Sequence, residues 1–168
     1  PPMTVRTCLP YFDRRLHIAA EPVPEITETV RMIWDDMVDP MEAMPGVGLA
    51  APQIGIMQRL AVVDASDKRG QAVRMANPEV LHESVQLRAH EEASPNLPGV
   101  SARIERPRAV TVRFLNELGE VEERDFVGLW ATSVQHQIDH LNGKLYVDHL
   151  SPLRRKMLVA KSAKLAGS

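Results

Sequence analysis

The 168-residue chain is predicted to fold as an α+β domain in which a helix packs on a curved, predominantly antiparallel sheet. Three observations carry this prediction. Helical periodicity occurs in three separated segments, one early, one late and one at the C-terminal end. Between the first two lie several short β-rich runs joined by turn residues instead of helices, which favours antiparallel pairing. The second helical segment also carries His136 and His140, four residues apart and therefore on one face.

Each element has its own signal. From Pro24 to Ala43, Ile26, Val30, Ile33, Trp34 and Met37 fall at helical spacing behind a proline and acidic start, and the pattern stops near Pro45 and Gly46. RLAVVDAS, from Arg59, reads as a strand. The turn residues DKRG follow, then a second strand over 72–76. Further strands are expected at 85–90, 109–115 and 120–126, with NELGE turning the last hairpin. Helical spacing resumes over 127–141 and meets a stop at Asn142 and Gly143. KLYVDHL reads as a short strand, and Pro152 opens a final helix to about Leu165. No internal repeat or linker interrupts the chain, so residues 1–168 are expected to form a single domain.

Composition narrows the functional classes. Hydrophobic residues make up 44% and charged residues 25%, a globular balance without the signature of disorder. A formal net charge of −2 argues against a protein-wide nucleic-acid surface, so no DNA partner is expected. Cys8 is the single cysteine, which rules out an internal disulfide and fits a reducing compartment. No apolar run is long enough to span a bilayer, and the first ten residues lack the hydrophobic stretch of a signal peptide. The expectation is a cytoplasmic protein without a membrane partner.

The chemistry concentrates in three stretches. PGVGLAAPQIG occupies 45–55, EEASPNLPGV occupies 91–100, and QHQIDHLNGKLYVDHLSP occupies 135–152. His136 and His140 have the spacing with which a helix grips one metal ion. In H-E-x-x-H motifs a glutamate beside the first histidine moves the proton of metal-bound water, and here Gln137 holds that place. A glutamine amide cannot carry that proton.

In their order and spacing the three stretches resemble the peptide deformylase family, which removes the formyl group from the N-terminal methionine of new bacterial-type proteins. The resemblance extends to FDRRL, MANPEV and LSPLRR and so spans almost the whole chain. It implies curved antiparallel sheets around a central helix bearing the histidine pair, with an N-terminal and a C-terminal helix. It implies a divalent metal, iron or zinc, bound by His136, His140 and a cysteine whose position is taken by Ser94. It further implies an oxyanion site made by the Gln53 amide and by the backbone N–H of position 95. Substrate contacts are implied at Gly46, Val47, Gly48, Leu129 and His136.

The departures from the family pattern fall on the reaction itself. Where the family has E-G-C-L-S, this chain has Glu92, Ala93, Ser94, Pro95 and Asn96. Ser94 offers a hydroxyl that stays protonated near neutral pH, so metal affinity is expected to fall strongly. Pro95 has no N–H to give. A rescue by another carboxylate would fall to Glu91, Glu92 or Asp139, although Asp139 lies on a different helical face from the histidines. His90, His149 and Cys8 match no ligand position. The expectation is a deformylase-like protein with hydrolysis lost or strongly impaired. Its cleft would still accept an N-terminal peptide with an unbranched apolar side chain, received by Met and small apolar residues. An active divergent metallohydrolase and a non-catalytic binding module are the alternatives. Arg154, Arg155, Lys156, Lys161 and Lys164 make the last helix basic, and the resemblance implies ribosome contact there.

Overall fold

A computed structural model describes residues 7–43 and 47–167 of the chain. Thr27 Oγ1 accepts the Val30 N–H at 3.2 Å, and α1 (Glu28–Ala43) follows. This cap sets the start four residues later than the proline-led pattern predicts. Val30, Trp34, Met37 and Met41 form the buried stripe of α1, and Trp34 Nε1 donates to Met75 O at 3.3 Å. Pro40 is accommodated inside the helix. Its predicted stop at Pro45 and Gly46 lies outside the described residues.

Among the described residues seven strands follow: β1 (Gly48–Ala50), β2 (Leu60–Val63), β3 (Val73–Glu83), β4 (Leu87–Glu92), β5 (Ala102–Pro107), β6 (Ala109–Leu115) and β7 (Val121–Val127). They build a five-stranded sheet in the order β1-β2-β3-β6-β7 and a β4-β5 hairpin, with every pair antiparallel. All four residues of β2 are buried, because that strand has α1 and α2 packed against it. The central helix α2 (Leu129–Leu141) packs against β1, β2, β5 and β7. At its C-terminal end the Leu141 carbonyl accepts from Arg59 Nη1 at 2.8 Å and from the Ala20 N–H at 2.9 Å. The chain then turns at Gly143, where φ is +77° and a Cβ would lie 2.7 Å from the Ile18 carbonyl carbon.

Three corrections to the sequence reading have physical causes. β3 does not stop at Ala76. Asn77 adopts a left-handed φ of 52°, its amide pairs with both the N–H and the C=O of Val23 at 2.8 Å, and the strand resumes after this shift in register. β5 escaped prediction because Arg106 points inward beside Ala102 and Ile104, which disguises the alternation of a half-buried strand. KLYVDHL is not a strand. The Asp148 carboxylate accepts the Leu145 N–H at 3.0 Å and winds Tyr146–His149 into a 3-10 turn whose apolar residues all enter the core.

The C-terminal helix α3 (Pro152–Ala166) starts where predicted, with Ser151 Oγ accepting the Arg154 N–H at 3.3 Å. It buries little beyond Val159 and Ser162 and lies on the surface, with Leu153 and Met157 exposed. Among the described residues no helix is long and apolar enough to cross a membrane.

Candidate active site

Most of α2 is buried, yet it carries Thr132, Ser133, Gln135, His136, Gln137 and His140 inside. A buried polar group has to find a partner, so each of these is either a structural bond or part of a site. Gln135 is structural: its Nε2 donates to Pro107 O and Ala131 O at 2.9 and 3.0 Å. Ser133 donates to Val47 O at 3.1 Å, joining α2 to β1. The same close approach requires Gly48, since a Cβ there would sit 2.5 Å from Ser133 Oγ and 2.6 Å from Gln137 Nε2.

Between α2, β1 and the segment after β4 lies a cleft of about 540 Å³. Val47, Gly48, Gln53, Ser94, Pro95, Leu129, His136 and Gln137 all border it, so the three sequence stretches converge as expected. Gly46 lies outside the described residues. His140 is one layer deeper, fully buried, with its Nε2 3.1 Å from His136 Nε2. The apolar lining comes from Leu97, Val100, Leu129 and Val47. The methionines expected there are absent from the described lining; Met37, Met41 and Met75 belong to the core.

Beneath His136 runs a charged network that the sequence reading did not assemble. His136 Nδ1 donates to Glu92 Oε1 at 2.8 Å, and Arg106 grips the same carboxylate with two bonds of 2.7 and 2.9 Å. Arg106 also donates to Asp139 at 2.9 Å, and His149 Nε2 donates to Asp139 at 2.7 Å. Burial pushes the Glu92 carboxyl up, but the hydrogen bonds from His136 and Arg106 and the guanidinium charge outweigh it and hold the group at about 2. Asp139 is lowered in the same way, burial opposing and the bonds from His149 and Arg106 prevailing. Both carboxylates are therefore poor proton acceptors.

A second network involves Gln53, which sits in the 3-10 turn Ala51–Ile54 after β1. Its Oε1 accepts the Ala50 N–H at 2.8 Å, while Nε2 donates to Asn96 Oδ1 at 2.9 Å and to Ser94 Oγ at 3.3 Å. Ser94 Oγ in turn donates to Asn96 Oδ1 at 2.9 Å, and Asn96 Nδ2 donates to Leu9 O at 2.6 Å. The amide expected to face an oxyanion is thus engaged within the protein. Asn96 is the residue that sequence reasoning passed over, and its position two after Ser94 was the available signal.

These residues do not fit a tight metal centre. Among the described residues no three His, Cys, Asp or Glu side chains gather in a group that could hold an ion. The convergent donors are two imidazole nitrogens and a neutral hydroxyl already bonded to Asn96, whereas zinc sites ordinarily take three or four protein ligands. His140 adds a second objection. Burial, and then the charge of His136, push its imidazole well below the usual range, and its Nδ1 has no hydrogen-bond partner among the described residues. At 3.1 Å the two facing Nε2 atoms can share one proton. Metal bound at both would instead place the His140 proton on Nδ1, where no described residue accepts it. His90 borders the cleft without joining the pair, His149 is tied to Asp139, and Cys8 packs half-buried against the α1 core.

Comparison with known proteins agrees with the fold. The family model for polypeptide deformylase matches residues 5–156. A peptide deformylase of Afipia carboxidovorans is 41% identical over 166 residues, covering 98% of this chain and 97% of that one. The crystal structure of a peptide deformylase from Legionella pneumophila superimposes with a TM-score of 0.90 at 39% identity, covering 97% of this chain and 96% of the other. That of a class I type b peptide deformylase from Acinetobacter baumannii with Met-Ala-Ser bound has a TM-score of 0.82 at 32% identity, covering 88% of this chain and 99% of the other. The sheet order, the central histidine helix and the matched sequence together place this chain in the polypeptide deformylase family.

Proposed function

We propose that this protein keeps the deformylase cleft for N-terminal peptides but has lost, or nearly lost, the hydrolysis of N-formyl groups. The observation that carries this reading is the state of the cleft floor, where positions 94, 95 and 137 hold groups that lack the metal thiolate, the backbone donor and the acid–base carboxyl of the family. Gln137 holds the place of the acid and base and has no ionisable proton at neutral pH. Pro95 lacks the backbone donor, and Gln53 is bonded to Ser94 and Asn96. Ser94 supplies neither charge nor a soft donor to a metal. The peptide-binding half of the proposal is supported by the intact apolar lining and by Met-Ala-Ser in the related Acinetobacter baumannii structure.

A serine hydrolase reading has one observation in its favour, the Glu92–His136 pair, which resembles the orienting half of a catalytic triad. It fails on the nucleophile. The Ser94 proton goes to Asn96, and His136 Nε2 faces His140. The basic, exposed surface of α3 supports a ribosomal contact as a secondary proposal, of a kind that weakens steeply with salt.

Formate release from formyl-Met-Ala-Ser tests the main reading, using protein supplied with iron, nickel or zinc and analysed for bound metal. Turnover is expected to be undetectable or at least about 10³-fold below that of an ordinary deformylase, given the loss of the base and of the oxyanion donor. Near-family turnover with any of these metals refutes the reading.

A further inference from the structure

The floor of the cleft holds two sets of polar groups that do not meet. His136 and His140 face each other through Nε2 at 3.1 Å. Two imidazoles on one tetrahedral ion, each about 2.0–2.1 Å from it, would stand roughly 3.3 Å apart, so the histidine pair is already near ligand spacing. The third position is where the site falls short. Ser94 Oγ accepts from Gln53 Nε2 at 3.3 Å and from the Asn96 N–H at 3.4 Å, and it donates to Asn96 Oδ1 at 2.9 Å. Among the described residues it makes no bond to either imidazole.

Asn96 sets this arrangement. It is 1% exposed, and its Nδ2 donates to Leu9 O at 2.6 Å and to Gln53 O at 3.3 Å. Two backbone carbonyls thus take the amide protons, which fixes Oδ1 as the atom beside Ser94. Oδ1 also accepts from Gln53 Nε2 at 2.9 Å, and the Leu9 N–H donates to Gln53 O at 2.8 Å, closing the network from the other side. Opening any of these bonds leaves a buried polar group unpaired, so the network holds one geometry. The shortest of the three bonds at Ser94 is the one that needs a proton on residue 94. A cysteine there would meet the same carbonyl oxygen, which accepts from a thiol and opposes a thiolate, the form that binds metal.

We propose that Asn96 is itself a barrier to metal binding, holding the side chain of position 94 protonated and directed to the Gln53 network, so that cysteine at 94 alone does not rebuild a centre with His136 and His140. Asn96 is a positioning residue that acts through its neighbour. This rests on the reading of the cleft as one that has lost its metal, and it adds a fourth change to those at 94, 95 and 137.

Cobalt(II) binding to the full chain tests it, read as metal per chain and as the near-ultraviolet thiolate-to-cobalt band, with the parent protein fixing the contribution of Cys8. Ser94→Cys is expected to take up cobalt no better than the parent and to show no added band. Ser94→Cys with Asn96→Ser is expected to gain the band and to bind at least about tenfold more tightly than the single variant, the lower end of what the neighbours of a ligand contribute. Far-ultraviolet circular dichroism reports whether the double variant folds, and Asn96→Ala takes the place of Asn96→Ser if it does not. A band in Ser94→Cys alone, or no band in a folded double variant, overturns this inference and leaves the reading of the cleft standing. Tight cobalt binding by the parent protein overturns both.

Discussion

Replacing Arg106 with leucine removes the guanidinium that bridges Glu92 and Asp139 in the network under His136. The Arg106 and Glu92 side chains are 5% and 3% exposed, so water does not take over when the guanidinium goes. Glu92 would keep only its bond to His136, and Asp139 only its bond to His149. Breaking one side of a buried ion pair typically costs about 3–5 kcal/mol. The carboxylate has one escape, which is to take up a proton. From the ordinary Glu value of 4.5, protonation at pH 7 costs about 3 kcal/mol, which limits the damage to the lower part of that range.

The escape also fixes the pH dependence. Without Arg106 the folded-state pKa of Glu92 rises above its unfolded value, so the folded variant gains protons and loses stability as pH rises. In the parent protein the group stays ionised throughout the range from pH 5 to 7. Urea unfolding followed by the fluorescence of Trp34 and Trp130 should therefore show a deficit of about 3 kcal/mol at pH 7 that is smaller at pH 5. Adding Glu92→Leu should restore much of the loss, because an apolar replacement of a buried pair is often neutral. A single-variant deficit below about 1 kcal/mol, or a double variant no better than the single, refutes the assignment of Arg106 as the group that makes Glu92 tolerable.

The remaining predictions address other parts of the molecule. In the parent protein the depressed Glu92 pKa contributes stability above about pH 4.5 that is lost as pH falls toward about 2, so acid titration of the unfolding free energy should steepen in that window, and Glu92→Gln should flatten it. Gln137→Glu alone should leave formyl-Met-Ala-Ser hydrolysis at least about 10²-fold below the family level, since Ser94 and Pro95 persist; full recovery in a formate-release assay contradicts this. Gly48→Ala should destabilise by about 1–3 kcal/mol in urea unfolding, because Ser133 and Gln137 must give way, and Gly48→Ala with Ser133→Ala should recover part of it.

Sequence periodicity located α1, α2 and α3 because each carries a long stripe or a strong cap, and it located β2 and β6 because their runs are uninterrupted. It failed where tertiary bonds override local pattern. The bulge at Asn77 is held by Val23, 54 residues away, and nothing in NP signals that the strand continues. β5 was hidden by Arg106, whose partners Glu92 and Asp139 lie 14 and 33 positions distant. The convergence of Gln53, Ser94 and His136 was legible from the three matched stretches. Which way each polar atom faces was not. A sequence holds the donor count of Gln53 but not the fact that Asn96 and Ser94 accept from it, and that fact separates an oxyanion donor from a structural amide.

Asn96 gives the fold a fastener of a different kind from the ion its relatives' family employs. Through one side chain it ties the N-terminal segment at Leu9, the turn at Gln53 and its own loop at Ser94. All of its partners are amides, hydroxyls and carbonyls, groups that neither titrate near neutrality nor change oxidation state. A thiolate holding iron at the same crossing would depend on oxygen, chelators and metal supply. The bonds made by Asn96 are therefore indifferent to the redox condition of their surroundings, as a thiolate–metal bond at the same crossing would not be.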